Sequence, residues 1–165
     1  MSNWKNMDQW EMVLPPSRPT IEELNRIEKY ISNYKRSKPI AILGSTPEFR
    51  DLLHRMGFKN RFIFDKSIDF YQRMSHLLPL NTIDGEQLIV GEWINTLQNF
   101  EGIFCVILSD LTMGNISYSN RFVFYKAIAN ALISGGTFID KVLAFDFDIP
   151  TIDALFQKYE QLPIN

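Results

Sequence analysis

Residues 40–65 read IAILGSTPEFRDLLHRMGFKNRFIFD, and the change of period inside this stretch decides the fold class. Ile40 to Leu43 is a short continuous apolar run. Pro47 to Met56 spaces its apolar residues as a helix does and closes on Gly57, and Arg61 to Phe64 is again a short, mostly apolar run. A strand, an amphipathic helix and a second strand joined by short loops make a parallel crossover.

Toward the C-terminus the alternation continues. Ser67 to Leu78 reads as a helix, Asn81 to Gly85 as a turn, and Gln87 to Val90 as a third strand. Ile103 to Leu108, the most apolar run of the chain, reads as the central strand. A helix from Asn120 to Leu132, a turn at Gly135-Gly136, a fifth strand from Thr137 to Ala144 and a short helix from Thr151 to Tyr159 complete the order. Toward the N-terminus, Thr20 and Glu23 form a capping box, and Ile21, Leu24, Ile27, Ile31 and Tyr34 recur at helical spacing in a helix predicted to end near Ser37. Before it, Pro15-Pro16-Ser17-Arg18-Pro19 is predicted to run extended. Trp4, Met7, Trp10 and Met12 form an aromatic arm without a clean period, which either caps an open pocket or covers an apolar patch.

Composition narrows the function. A chain of 165 residues is one domain's worth of core, and its 45% hydrophobic and 22% charged residues exclude global disorder. Seventeen Lys and Arg against nineteen Asp and Glu provide no positive field for a phosphate backbone, so no nucleic acid is expected. Cys105 stands alone and is expected buried and inert, and with only His54 and His76 beside it a His/Cys zinc site is excluded; a carboxylate-only site has no support, so no metal centre is expected. His54 and His76 read as structural or solvent-facing. No apolar run approaches the ~20 residues of a membrane span and the N-terminus lacks a signal-peptide core, so a cytoplasmic protein without membrane contact is expected.

Open parallel sheets bind ligands beyond the carboxyl ends of their strands. Those positions hold Gly44-Ser45-Thr46-Pro47-Glu48, Asp65, Gly91-Glu92-Trp93 and Ser109-Asp110-Leu111. Gly44 permits a sharp turn and close approach of a ligand, Thr46 is placed as an N-cap and Pro47 as the first helical residue. Only the first glycine of a dinucleotide fingerprint is present, and Glu48 in the first turn would repel a pyrophosphate. Asp65 lies 21 positions after Gly44, where an acidic side chain can accept from a ribose diol; capping the next helix together with Ser67 is the alternative. Trp93 suits either an adenine or the core. A nucleoside with a cationic appendage meets these constraints together, and S-adenosyl-L-methionine is one.

These residues resemble the class I S-adenosylmethionine-dependent methyltransferases, in particular a bacterial branch with a P-P-S-R-P segment and an L-G-x-T-P-E first motif. They stand here as Pro15 to Pro19 and Leu43 to Glu48, followed by Gly91 to Trp93, Ser109 to Leu111 and the Leu132 to Gly136 turn. The resemblance implies a Rossmann-like three-layer α/β/α sandwich with a mostly parallel sheet in order 3-2-1-4-5. Residues 1–37 would be an arm and helix packed on the core, and residues 38–165 the cofactor-binding domain. It implies that Gly44, Ser45, Thr46 and Glu48 line the methionine moiety, that Asp65 binds the ribose and that Glu92 and Trp93 flank the adenine, with Lys66 beside Asp65 among the cofactor-binding residues. Arg18 would meet the cofactor carboxylate. Asp110 would face the methionine amino group or the acceptor, or else hold the following loop; no other residue reads as catalytic.

Thr46, Glu48, Glu92 and Ser134 depart from the wider pattern, and the family's last two strands have no counterpart. Either the chain is part of a longer protein or it is a short form whose fifth-strand edge serves self-association or docks another segment. Methyl transfer to a small-molecule acceptor is the expected activity. A non-catalytic module of the same fold, serving interaction or assembly, is the rival.

Overall fold

A computed structural model describes Trp10, residues 13–79 and residues 81–143. Its strands are β1 (Ile40–Leu43), β2 (Arg61–Asp65), β3 (Glu86–Val90), β4 (Phe104–Asp110) and β5 (Leu132–Lys141). The helices are α1 (Ile21–Ile31), α2 (Pro47–Arg55), α3 (Ile68–His76), α4 (Trp93–Leu97) and α5 (Arg121–Ala131). All strand pairs are parallel and the order is β3-β2-β1-β4-β5, the expected Rossmann-like arrangement. β1, not the more apolar β4, holds the centre. The expected helix at 151–159, residue Ala144 and the Trp4, Met7 and Met12 part of the arm lie outside the described residues.

Strand alternation builds two cores. Ile40 and Ile42 of β1 point to the face covered by α1 and α2, with Phe49, Leu52 and Leu53 of α2 above them. Ala41 and Leu43 point to the opposite face, where Phe64, Phe104, Leu97 of α4 and Phe124 of α5 pack. On β4 the adjacent Cys105 and Val106 both enter the first core, and the β4–β5 register shifts between Phe104 and Val106. Cys105 is fully buried, as expected.

Three local expectations change, and one helix was not anticipated. α1 stops at Ile31 rather than near Ser37 because Ser32 Oγ bonds back to the Lys29 carbonyl and the Arg36 guanidinium takes the carbonyls of Ile31, Ser32 and Tyr34. Residues 15–18 turn instead of running extended, with Ser17 N donating to the Leu14 carbonyl. A short helix, α4, follows β3 directly. Gly135 and Gly136 lie within the irregular part of β5 rather than in a turn before it. A Cβ on Gly136 would come within 3.0 Å of the Ile133 carbonyl and 3.2 Å of the Cys105 carbonyl, so glycine is what lets β5 lie close to β4 there.

Candidate functional site

Because every strand is parallel, one rim collects the ends of β1, β2, β3, β4 and β5 and the starts of α2, α3 and α4. Gly44 has φ +95°, a backbone that side chains rarely adopt, and a Cβ placed there meets no atom within 4 Å. The loop therefore turns sharply with free space before it. Its amide donates to the Phe64 carbonyl at 2.8 Å, which joins the tips of β1 and β2.

Asp65 is 7% exposed and sits beside this loop. One carboxylate oxygen accepts from Ser45 Oγ at 2.6 Å and the other from the Ser67 amide at 3.0 Å. Ser67 Oγ in turn caps α3 through the Phe70 amide. Asp65 thus organises the turn into α3, and each oxygen keeps a further lone pair for another donor. Lys66 pairs with Glu92 at 2.9 Å and lies 5.8 Å from the Trp93 ring centroid. Trp93 packs against the second core and donates its indole N–H to the Phe64 carbonyl at 2.9 Å. Gly44, Ser45, Asp65, Lys66, Glu92 and Trp93 are thus joined as one group across three strand tips. Thr46 stands at the N-cap of α2 but makes no side-chain capping bond.

Arg18, Glu48 and Asp110 meet in a second group. Glu48 pairs with Arg18 at 2.6 Å and accepts from the Trp10 indole at 3.1 Å. Arg18 also reaches the Trp10 carbonyl at 3.3 Å. Lys141, which the sequence did not single out, donates to the Arg18 carbonyl at 2.9 Å and faces Glu23 at 3.4 Å and Asp110 at 3.6 Å. Burial pushes the Asp110 carboxyl up to about 6; Lys141 opposes the rise, while Glu48 and Glu23 add to it. Burial also raises Asp140, against the Ser109 hydroxyl that it accepts. Among the described residues one oxygen each of Glu48, Asp110 and Asp140 is buried without a hydrogen-bond partner. Three acids, Glu23, Glu48 and Asp110, face two cations, Arg18 and Lys141, so this part of the rim is suited to a cationic donor.

Trp10 covers an apolar patch, the second of the two roles weighed for it. It packs with Phe70 and Met74 of α3, and its N–H closes on Glu48. Two cavities flank the arm: one of about 220 Å³ bounded by Trp10, Arg18, Glu48 and Leu77, and one of about 300 Å³ between α1 and β5. Neither is lined by Gly44, Asp65 or Trp93. His54 is half-buried and His76 exposed, both on helix ends away from the rim. Among the described residues no cluster of three or more His, Cys, Asp or Glu could hold a metal, and no helix is long and apolar enough to cross a membrane.

No protein-family model matches the chain, and no curated protein matches it in sequence. Solved structures do. An S-adenosylmethionine-dependent methyltransferase from Mesorhizobium loti is 18% identical over 73% of this chain and 51% of its own, with a TM-score of 0.55. Geranyl diphosphate methyltransferase in complex with SAM is 11% identical over 84% and 57%, at 0.61. A Rhodobacter sphaeroides protein assigned to the Zn-dependent alcohol dehydrogenases is 16% identical over 92% and 58%, at 0.64. The chain spans little more than half the length of these structures. What it shares with them is architecture: the Rossmann-like sheet on which S-adenosylmethionine-dependent methyltransferases are built.

Proposed function

We propose that the chain binds S-adenosyl-L-methionine at this rim and is a methyltransferase, or the cofactor-binding part of one, acting on a small-molecule acceptor. The observation that carries the reading is the open, left-handed turn at Gly44 with the buried Asp65 carboxylate held beside it. The incomplete glycine pattern and Glu48 favour this ligand over a dinucleotide, although a protein assigned to the dehydrogenases has the same fold. The partnerless carboxylate oxygens fit its ammonium group.

When bound, the cofactor supplies a sulfonium methyl for in-line attack by the acceptor's nucleophile. This chain's residues bind and orient. Asp65 would accept from the ribose hydroxyls through its remaining lone pairs. Lys66, Glu92 and Trp93 would border the adenine, with Trp93 anchored by Phe64. Ser45 and Thr46 would shape the loop, Glu48 and Asp110 would accept from the amino group, and Arg18 would meet the carboxylate. Orientation of this kind supplies about 7–11 kcal/mol without a covalent intermediate, so no nucleophile is required of the protein. The outer edge of β5, which pairs only with β4 among the described residues, would serve self-association or the docking of another segment.

Calorimetric titration with S-adenosylmethionine and S-adenosylhomocysteine tests the reading. Both should bind, and Asp65→Ala should weaken both by about 1–3 kcal/mol, the range for hydrogen bonds to a charged group. Absence of heat at millimolar ligand would leave the non-catalytic module in its place.

A further inference from the structure

The cleft of about 300 Å³ between α1 and the end of β5 lies on the face of the sheet that carries the first core. Its inner wall is apolar: Ile27 and Phe49 are almost wholly enclosed, and Ile139 packs beside them. Its lips are Tyr30 and Val142, 73% and 58% exposed, so it opens to solvent. The volume is about twice the ~150 Å³ that admits benzene in an apolar protein cavity, and it stands at the lower end of the range for small-molecule sites. An apolar body of about two fused rings fits it.

The charged side chains of the lining balance one another. Lys141 is 12% exposed, and among the described residues its ammonium makes one hydrogen bond, to the Arg18 carbonyl at 2.9 Å. Its carboxylate neighbours, Glu23 at 3.4 Å and Asp110 at 3.6 Å, stand beyond hydrogen-bond length, so two of its three N–H groups are left to donate. Glu23 accepts both bonds from Thr20 on Oε2, which leaves Oε1 for another donor. Arg26 is paired with Glu22. Asp140 also borders the cleft, but strand alternation turns its carboxylate to the other face, where it accepts from Ser109 Oγ.

We propose that this cleft binds a small, uncharged molecule with an apolar body of about two rings and one hydroxyl at its head. The hydroxyl accepts from the Lys141 ammonium and donates to Glu23 Oε1, and the body lies against Ile27, Phe49 and Ile139. A carboxylate in place of the hydroxyl would meet Glu23 and Asp110, and an ammonium would meet Lys141 and Arg26, so the lining disfavours either charge. All of these groups belong to the cleft itself, so the site needs no cofactor at the rim and stands apart from the methyltransferase reading.

Calorimetry on the full chain at neutral pH, without S-adenosylmethionine, tests this with three probes that share one body: 2-naphthol, 2-naphthoate and 2-naphthylmethylammonium. The naphthol should bind about tenfold more tightly than either ion. Tyr30→Ala, at an exposed lip, should weaken it several-fold. Glu23→Gln keeps the capping box, which glutamine also serves, and leaves the lining with a net positive charge, so the naphthoate should overtake the naphthol. Lys141→Met should do the reverse and bring the ammonium probe to the front. A loss of fold would weaken all three probes together and reorder none, and if Lys141→Met does not fold, the Glu23→Gln switch decides. No heat from the naphthol at millimolar concentration, equal binding of the three probes, indifference to Tyr30→Ala, or an unchanged order in Glu23→Gln would each overturn the site. Naphthol binding by a chain that ignores S-adenosylmethionine would keep the cleft and reject the cofactor reading, and the converse result would reject the cleft alone.

Discussion

Asp110→Asn should stabilise this protein at neutral pH, although it removes an ion-pair partner of Lys141. Asp110 ends β4 with its side chain 6% exposed, one oxygen without a partner and Lys141 at 3.6 Å, and its carboxyl titrates near 6 instead of 3.8. The difference already contains the attraction of Lys141, so it measures how much the folded state disfavours the charged form. At 1.36 kcal/mol per pH unit the penalty is about 3 kcal/mol. The native state keeps this proton where the unfolded chain has lost it. Stability from this group is therefore complete below about pH 4, declines as pH rises through about 6, and stays low above. An asparagine has nearly the shape of the protonated acid and no such dependence. Urea unfolding of both proteins at pH 4 and pH 7.5 should show little difference at the lower pH and a gain of about 2–3 kcal/mol for the variant at the higher. Asp140 titrates in both proteins and cancels in the comparison. A variant less stable than the parent at pH 7.5, or a difference independent of pH, would show that the Lys141 contact outweighs desolvation.

A buried ion pair ties α2 to β3, where Arg50 and Glu86 are both fully enclosed and joined at 2.7 Å, with Tyr71 and Ser75 of α3 completing the network. Arg50→Met should cost about 3–5 kcal/mol by stranding Glu86, and adding Glu86→Leu should recover most of it; single variants within 1 kcal/mol of the parent by denaturant unfolding would refute this. Gly85 has φ +82°, and a methyl there would run into the Lys59 carbonyl oxygen. Gly85→Ala should therefore lose ~1–3 kcal/mol in the same assay, whereas a neutral effect would mean the turn before β3 is free to move.

Much of the fold follows from neighbours in the chain. The Thr20–Glu23 capping box forms as read, with reciprocal bonds of 3.2 and 2.7 Å, because its partners are three residues apart and need no tertiary context. The parallel order follows because short apolar runs separated by amphipathic helices can bury both sheet faces in few ways. The reach of Arg36 back to the end of α1, by contrast, depends on how the chain turns after Ile31.

The candidate site was legible in its positions and not in its pairings. Gly44, Asp65, Glu92 and Trp93 stand at strand tips because the sheet is parallel, which the pattern determined. Which groups meet there depended on folding: Ser45 with Asp65 across 20 residues, Trp10 with Glu48 across 38, and Lys141 with the Arg18 carbonyl across 123. A lone lysine at a strand end carries no periodic signal. Arg50 offered one faint sign, standing three residues before Leu53 beside the apolar stripe of α2. Periodicity and capping are properties of a few consecutive residues, so sequence alone determined the elements and their layering. Charges default to solvent until a partner is brought near, and only the packed structure could decide which of them share the rim and that Arg18 and Trp10 close on Glu48.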